Sequence, residues 1–195
     1  MSRTEVWPSF GPYTWQDFVT LDEDDPRELL DGELVEIEVP TWSHERVVAS
    51  LIAILDQWCW TTRAGSVVGS SYKIRIDDRQ GLMPDVQLYR RGNLPSRQER
   101  GLEHGRPDLA VEVISPSSRS KDRVQKVHHY ASIGVPEYWL LDPEAQTLER
   151  LVLSQEGVYG LVEALEGDAL FQPSGFPGLE IDLGRLWADG EPAES

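Results

Sequence analysis

The chain holds 195 residues, with 34 Asp plus Glu against 18 Lys plus Arg and a formal charge of −16. Its 39% hydrophobic and 27% charged residues exclude a disordered or collagen-like chain, and a chain of this length buries roughly 70% of its unfolded surface without needing a covalent staple. The single cysteine, Cys59, excludes an intrachain disulfide framework and a thiolate zinc cluster. No apolar run of about 18 residues is present to cross a membrane, and Met1 to Gly11 carries no apolar secretory core. The expected compartment is the cytoplasm, with no membrane partner.

Residues 1–12 read as an N-terminal extension. Thr14 to Phe18 predicts a short helix, with Thr14 as N-cap and Asp17 as its capping-box partner. From Leu21 to Glu38 nine acidic residues face one Arg27, which reads either as a solvated acidic loop or as one pole of a polar molecule. Asp31-Gly32 signals a turn, and Glu33 to Val39 alternates as a half-buried strand. Ser43 is the expected cap of a helix in which Val47, Val48, Leu51, Ile54, Leu55 and Trp58 recur at helical spacing, ending near Trp60.

Short strands are expected at Ser66–Ser70, Tyr72–Ile76 and Met83–Tyr89, with a turn over 77–81. Residues 90–106 read as a long polar loop. Leu109 to Ile114 is an apolar run broken only by Glu112, the pattern of a central strand buried on both faces. A helix over Lys121–Ile133 closes at Gly134, a strand follows at Glu137–Leu141, and Leu148–Leu153 with Val158–Leu165 makes a C-terminal hairpin. Residues 188–195 read as a frayed tail. A helix between two strands is a crossover, so those strands should be parallel, while strands joined by short turns should be antiparallel. The fold class is therefore α/β (α+β), a mixed sheet flanked by helices, with a single domain over 13–187.

Two carboxylates interrupt apolar runs: Asp85, after Pro84, and Glu112. A carboxylate inside a buried strand costs several kcal/mol unless it is paired or metal-bound. On adjacent strands the two could share one hard cation, with magnesium taking carboxylates, waters and phosphate oxygens. The plainer readings are a Pro-Asp turn for Asp85 and a buried arginine answering Glu112. The helix downstream carries Lys121, Arg123 and Lys126, and Asp122, Lys126 and Tyr130 fall at i, i+4, i+8. Either Asp122 and Lys126 are a surface ion pair, or Lys126 stands over the carboxylates to orient water or stabilise developing charge. From Lys73 to Lys126 twelve basic residues outnumber eight acidic ones, leaving −20 on the rest of the chain. That asymmetry gives one face suited to an anionic ligand. His44 is either a supporting group for the site or a solvated histidine at a helix start. His128 and His129 are adjacent and cannot both face one site, so no zinc site is read. Ser115 and Ser117 have no His-Asp partners in a triad arrangement.

Pro84-Asp85 followed by Glu112-Val113-Ile114-Ser115 resembles the PD-(D/E)XK nuclease signature, with Ser115 standing where that signature has lysine. Longer stretches narrow the resemblance: Leu29 to Val35, Val111 to Ser117, Lys126 to Tyr130, Gly134 to Pro143 and the closing Phe176-Pro177-Gly178-Leu179. In that order they are similar to the Uma-two family of restriction-endonuclease-like proteins, over roughly residues 13 to 187. The resemblance implies a restriction-endonuclease-like fold and hydrolysis of DNA phosphodiester bonds with Mg2+ or Mn2+. It implies Asp85, Glu112 and the Val113 backbone carbonyl as metal ligands, and Lys126 as a catalytic lysine migrated to the following helix. Glu33 resembles a further acidic position of the family, and His44, Ser115 and Asp122 join it as supporting candidates. Lys121 and Arg123 are expected to contact nucleic acid, and cleavage of duplex DNA makes a homodimer the expected assembly. The alternative is an inactive descendant that keeps the fold as a binding or assembly module.

Overall fold

A computed structural model describes residues 11–22, 25–37, 39–95, 100–114 and 121–188, the side chains of 121–123 excepted. The first element among the described residues is α1 (Trp15–Thr20), and the Asp17 carboxylate accepts from the Thr14 N–H at 2.8 Å in the expected capping box. A hairpin follows, β1 (Arg27–Leu30) and β2 (Glu33–Glu36), turning at Asp31-Gly32. The long helix α2 (Trp42–Thr62) is capped by Thr41, whose hydroxyl accepts from the His44 N–H at 3.2 Å, rather than by Ser43. Then come β3 (Gly65–Gly69), β4 (Lys73–Asp77), β5 (Gln80–Leu82), β6 (Val86–Arg90), β7 (Gly101–Leu102) and β8 (Leu109–Val113).

A π-helical turn, Lys121–Lys126, leads into α3 (Val127–Ser132), where one continuous α-helix was expected. Gly134, at φ +76, stops it in the left-handed conformation that suits glycine. The chain continues through β9 (Glu137–Asp142), the hairpin β10 (Thr147–Leu153) and β11 (Tyr159–Glu166), β12 (Leu170–Phe171), β13 (Ile181–Asp182) and α4 (Leu183–Trp187).

Among the described residues the main sheet has six strands in the order β11-β10-β9-β8-β6-β3. Its β8–β9 pair is parallel, as the helical crossover requires, and its other pairs are antiparallel. A second sheet of five strands runs β2-β1-β5-β4-β7. The strand expected over Met83–Tyr89 is β6, which pairs with β3 and β8 in the main sheet, whereas Gln80 and Gly81, expected in the turn over 77–81, belong to β5, which pairs with β4 and β1 in the second sheet. Pro84 lies between β5 and β6, where a residue without an N–H cannot extend either ladder. Asp85 therefore sits where the chain passes from one sheet to the other.

Alternation along β8 sends its side chains to two cores. Leu109, Val111 and Val113 pack with Val47, Leu51 and Leu55 of α2. Ala110 and Ile114 face the opposite way, toward Leu82, Tyr130, Tyr138 and Leu140. Glu112 shares the parity of this second face. Trp15 is buried against Phe18, with ring centroids 5.9 Å apart, so it is core material. No helix among the described residues is long and apolar enough to cross a membrane.

Candidate functional site

The main sheet ends its β6–β8 ladder with a side chain. The N–H of Ile114 donates to Leu141 of β9, so the N–H of Val113 points the other way, toward β6. There it donates at 2.7 Å to Oδ2 of Asp85, which takes the place of a ladder acceptor beyond Val86. Val86 pairs with Val111, and continuing that antiparallel register one step sets Asp85 across from Glu112.

Glu112 is buried and both of its oxygens are engaged. Oε1 accepts from the Tyr130 hydroxyl at 2.6 Å, and Oε2 lies 2.9 Å from Nζ of Lys126. The buried Lys126 ammonium also lies 3.2 Å from Oε1 of Glu28. Glu28 belongs to β1 and is fully buried, and its Oε1 accepts from the Met83 N–H at 3.2 Å. One ammonium thus joins two buried carboxylates from different sheets. The π-helical turn ends at Lys126, and Tyr130 follows four residues later, so both reach the same carboxylate. Burial foremost, then the neighbouring Glu112 carboxylate, pushes the Tyr130 hydroxyl well above its ordinary pKa, and it stays a donor.

On the other side of Asp85 stands His44, in the first turn of α2. Its Nε2 lies 3.4 Å from Asp85 Oδ2 and its Nδ1 lies 3.7 Å from Glu45 Oε1. The side chain is only 15% exposed, so it is not the solvated histidine that a helix start suggests. Burial is the largest single influence on its pKa and lowers it. The Asp85 and Glu45 carboxylates and a hydrogen bond to the Val113 backbone outweigh that, and the net direction is upward.

The sequence-selected residues thus form two linked groups, Asp85 with His44 and Glu112 with Lys126. Glu33 does not join them: it is exposed at the start of β2, and Glu28, five residues earlier, reaches the site instead. Glu28 was legible only as part of an acidic run. The Asp-Gly turn after it was the available signal, since a hairpin turn implies a strand on both sides. Ser115 and the side chains of Lys121, Asp122 and Arg123 lie outside the described residues. His128 is exposed and neither it nor His129 enters these contacts.

Among the described residues, no three His, Cys, Asp or Glu side chains already surround one cation position. The donor chemistry nevertheless fits a hard divalent ion. Asp85 falls across from Glu112 by register and is bonded to the Val113 backbone, and a further buried carboxylate, Glu28, shares the Lys126 ammonium with Glu112. In addition, Nδ1 of His44 is buried without a hydrogen-bond partner among the described residues.

A family model named Uma2, described as "Putative restriction endonuclease", matches residues 15–184. Among solved structures the chain is similar to a "putative nuclease belonging to DUF820" from Anabaena variabilis ATCC 29413, at 20% sequence identity, 90% coverage of this chain, 98% coverage of that chain and a TM-score of 0.73. At that identity the likeness speaks for the fold. None of the curated proteins matches the chain.

Proposed function

The chain belongs to the Uma2 family of restriction-endonuclease-like proteins, and on that premise we propose that it is a divalent-metal-dependent endonuclease hydrolysing phosphodiester bonds of DNA. The observation that carries the reading is Lys126, whose ammonium stands 2.9 Å from Glu112 on the strand facing Asp85. Ser115 occupies the place where the superfamily signature has its lysine, and Lys126 supplies the missing charge from the following helical turn.

Asp85, Glu112 and the Val113 carbonyl would hold the cation. A divalent ion bound there supplies an activated water and neutralises charge on the phosphoryl group. The remaining work falls to side chains. Lys126, fixed by two carboxylates, presents a positioned ammonium to an attacking water or to a developing oxyanion. Tyr130 fixes the other Glu112 oxygen and so sets the carboxylate's orientation. Lys121 and Arg123, on the same turn as Lys126, are the candidate phosphate contacts. Cutting both strands of a duplex needs two such sites, so the working unit is taken as a cytoplasmic homodimer, with Trp42, 71% exposed, available to an interface.

A second reading has its own support. Both Glu112 oxygens are engaged by protein groups, and the chain carries −16, as suits a binding or assembly module that keeps the fold without the chemistry. The deciding experiment is a cleavage assay with Mg2+ or Mn2+ on duplex and single-stranded DNA, with wild type, Lys126→Ala and Lys121→Ala side by side. The nuclease reading expects wild-type cleavage and a loss of ~100-fold or more in Lys126→Ala, the scale for one positioned acid–base or charge-stabilising group. It expects Lys121→Ala mainly to weaken binding and flatten its salt dependence. Lys126→Arg should not rescue, because a planar fork does not replace a compact charge. No wild-type cleavage with either metal would favour the binding module. Equal cleavage by wild type and Lys126→Ala would reduce the lysine to an ion-pair partner.

A further inference from the structure

Resting on that metal-site reading, we propose that His44 is itself a ligand of the divalent cation, beside Asp85 and the Val113 carbonyl, and that its nitrogen tunes the site toward Mn2+ over Mg2+. The argument begins with position. Nε2 of His44 stands against Asp85 Oδ2, at 3.4 Å. Two donors bound at right angles to one small cation at ~2.1 Å each are about 3 Å apart, so this pair needs little movement to share an ion. The same Asp85 oxygen accepts the Val113 N–H at 2.7 Å, so the imidazole stands beside a carboxylate already tied to the Val113 backbone.

The far side of the ring supports the same role. A metal-ligating imidazole usually hands its second N–H to a carboxylate, which fixes the tautomer and the ring plane. Nδ1 of His44 is buried without a hydrogen-bond partner among the described residues, and the Glu45 carboxylate lies 3.7 Å from it. Glu45 is 61% exposed and can close that gap by a change of rotamer. The backbone beneath the ring is anchored, since the His44 N–H donates to the Thr41 hydroxyl.

Donor type sets the preference. Magnesium is a hard ion that favours oxygen and keeps several waters, whereas imidazole suits transition metals. Two carboxylates and a carbonyl alone would serve either ion. Adding a nitrogen leaves Mn2+ satisfied and gives Mg2+ a poor ligand.

The test is calorimetric titration of Mn2+ and of Mg2+ into the metal-free full chain, with pulsed electron paramagnetic resonance of the Mn2+-loaded protein. Wild type, His44→Ala, His44→Gln and Asp85→Ala are compared, each checked for folding by circular dichroism. The expected result is Mn2+ binding at least ~10-fold tighter than Mg2+ binding in wild type. In His44→Ala, Mn2+ affinity should fall by ~10-fold or more while Mg2+ affinity changes little, the scale at which single groups of a metal site act. A nitrogen coupling to Mn2+ should be present in wild type and absent from both His44 variants. If Asp85→Ala loses Mn2+ but both His44 variants bind it like wild type and wild type shows no nitrogen coupling, the ligand role of His44 is wrong and the metal site survives. If Asp85→Ala binds Mn2+ like wild type, the metal-site reading itself fails, and this inference with it.

Discussion

Lys126 places its ammonium 3.2 Å from Glu28, a fully buried carboxylate on a strand nearly a hundred positions earlier in the chain. A buried charge without a partner costs several kcal/mol, and Glu28 tolerates its position because Lys126 answers it. The two residues should therefore be strongly coupled. Lys126→Met alone should lose ~3–5 kcal/mol, because it leaves Glu28 and Glu112 buried without their shared cation. Glu28→Gln alone should cost less, since Lys126 keeps Glu112. In the double variant the coupling should be ~0.5–3 kcal/mol, as measured by urea unfolding of all four proteins. Additive effects would mean that Glu28 is held by other contacts.

Much of the scaffold around this pair was legible in the sequence, and the reasons are local. The apolar run Leu109–Ile114, broken only by Glu112, announced β8, and Thr14 with Asp17 announced α1. Alternation over Leu148–Leu165 announced the last hairpin, and Gly134 marked the end of α3. The change of sheet between β5 and β6 was not legible. Alternation says that a segment is extended but not which partner it pairs with, and pairing is decided by residues far along the chain. Glu28 was hidden for the same reason: an acidic run reads as solvated until the fold buries one member. His44 looked like a solvated helix start because nothing local links it to Asp85, 41 positions away.

A second buried pair gives a control remote from the site. Arg150 donates from Nε and Nη2 to the two oxygens of Glu137, at 2.8 and 2.7 Å, and Trp139 Nε1 donates to the same carboxylate at 3.1 Å. Arg150→Ala strands that carboxylate and should cost ~3–5 kcal/mol. Because the pair lies on β9 and β10, away from Asp85, divalent-ion affinity should be unchanged by calorimetry below the unfolding temperature. A parallel loss of metal binding would mean that the sheet transmits the damage to the site.

Cys59 supplies a pH prediction. It is buried in α2, and burial pushes its thiol up to about 11 from an ordinary value of 9.0. At pH 8 the native chain should react with iodoacetamide ~100-fold more slowly than the denatured chain, the factor that follows from the two pKa values when thiolate is the nucleophile. The linkage sign also follows. Above pH 9 the unfolded thiol deprotonates first, so the native state binds more protons and stability falls as pH rises through that range. Cys59→Ala should show a smaller fall between pH 8.5 and 10.5 in urea unfolding.

Asp85 separates two roles that a single alanine would confound. As a metal ligand it should be essential to divalent binding, and on the sequence alone its removal promises a gain in stability by relieving repulsion with Glu112. The structure reverses that second expectation. Glu112 is already offset by Lys126, whereas Asp85 accepts the N–H of Val113 at 2.7 Å and faces His44. Asp85→Ala leaves that N–H without its acceptor and should lose ~1–3 kcal/mol in metal-free buffer, the cost of an unsatisfied, partly buried donor. Asp85→Asn keeps a carbonyl oxygen for Val113 but loses the negative charge. It should unfold in urea within about 1 kcal/mol of wild type, the net worth of an ordinary hydrogen bond, and still fail to bind Mn2+ or Mg2+ tightly. The pair of variants, measured with chelator present and then by metal titration, tells the ladder cap from the ligand. If both variants lose the same stability, charge at residue 85 matters more than the Val113 bond. If Asp85→Asn retains full metal affinity, the carboxylate is a cap alone.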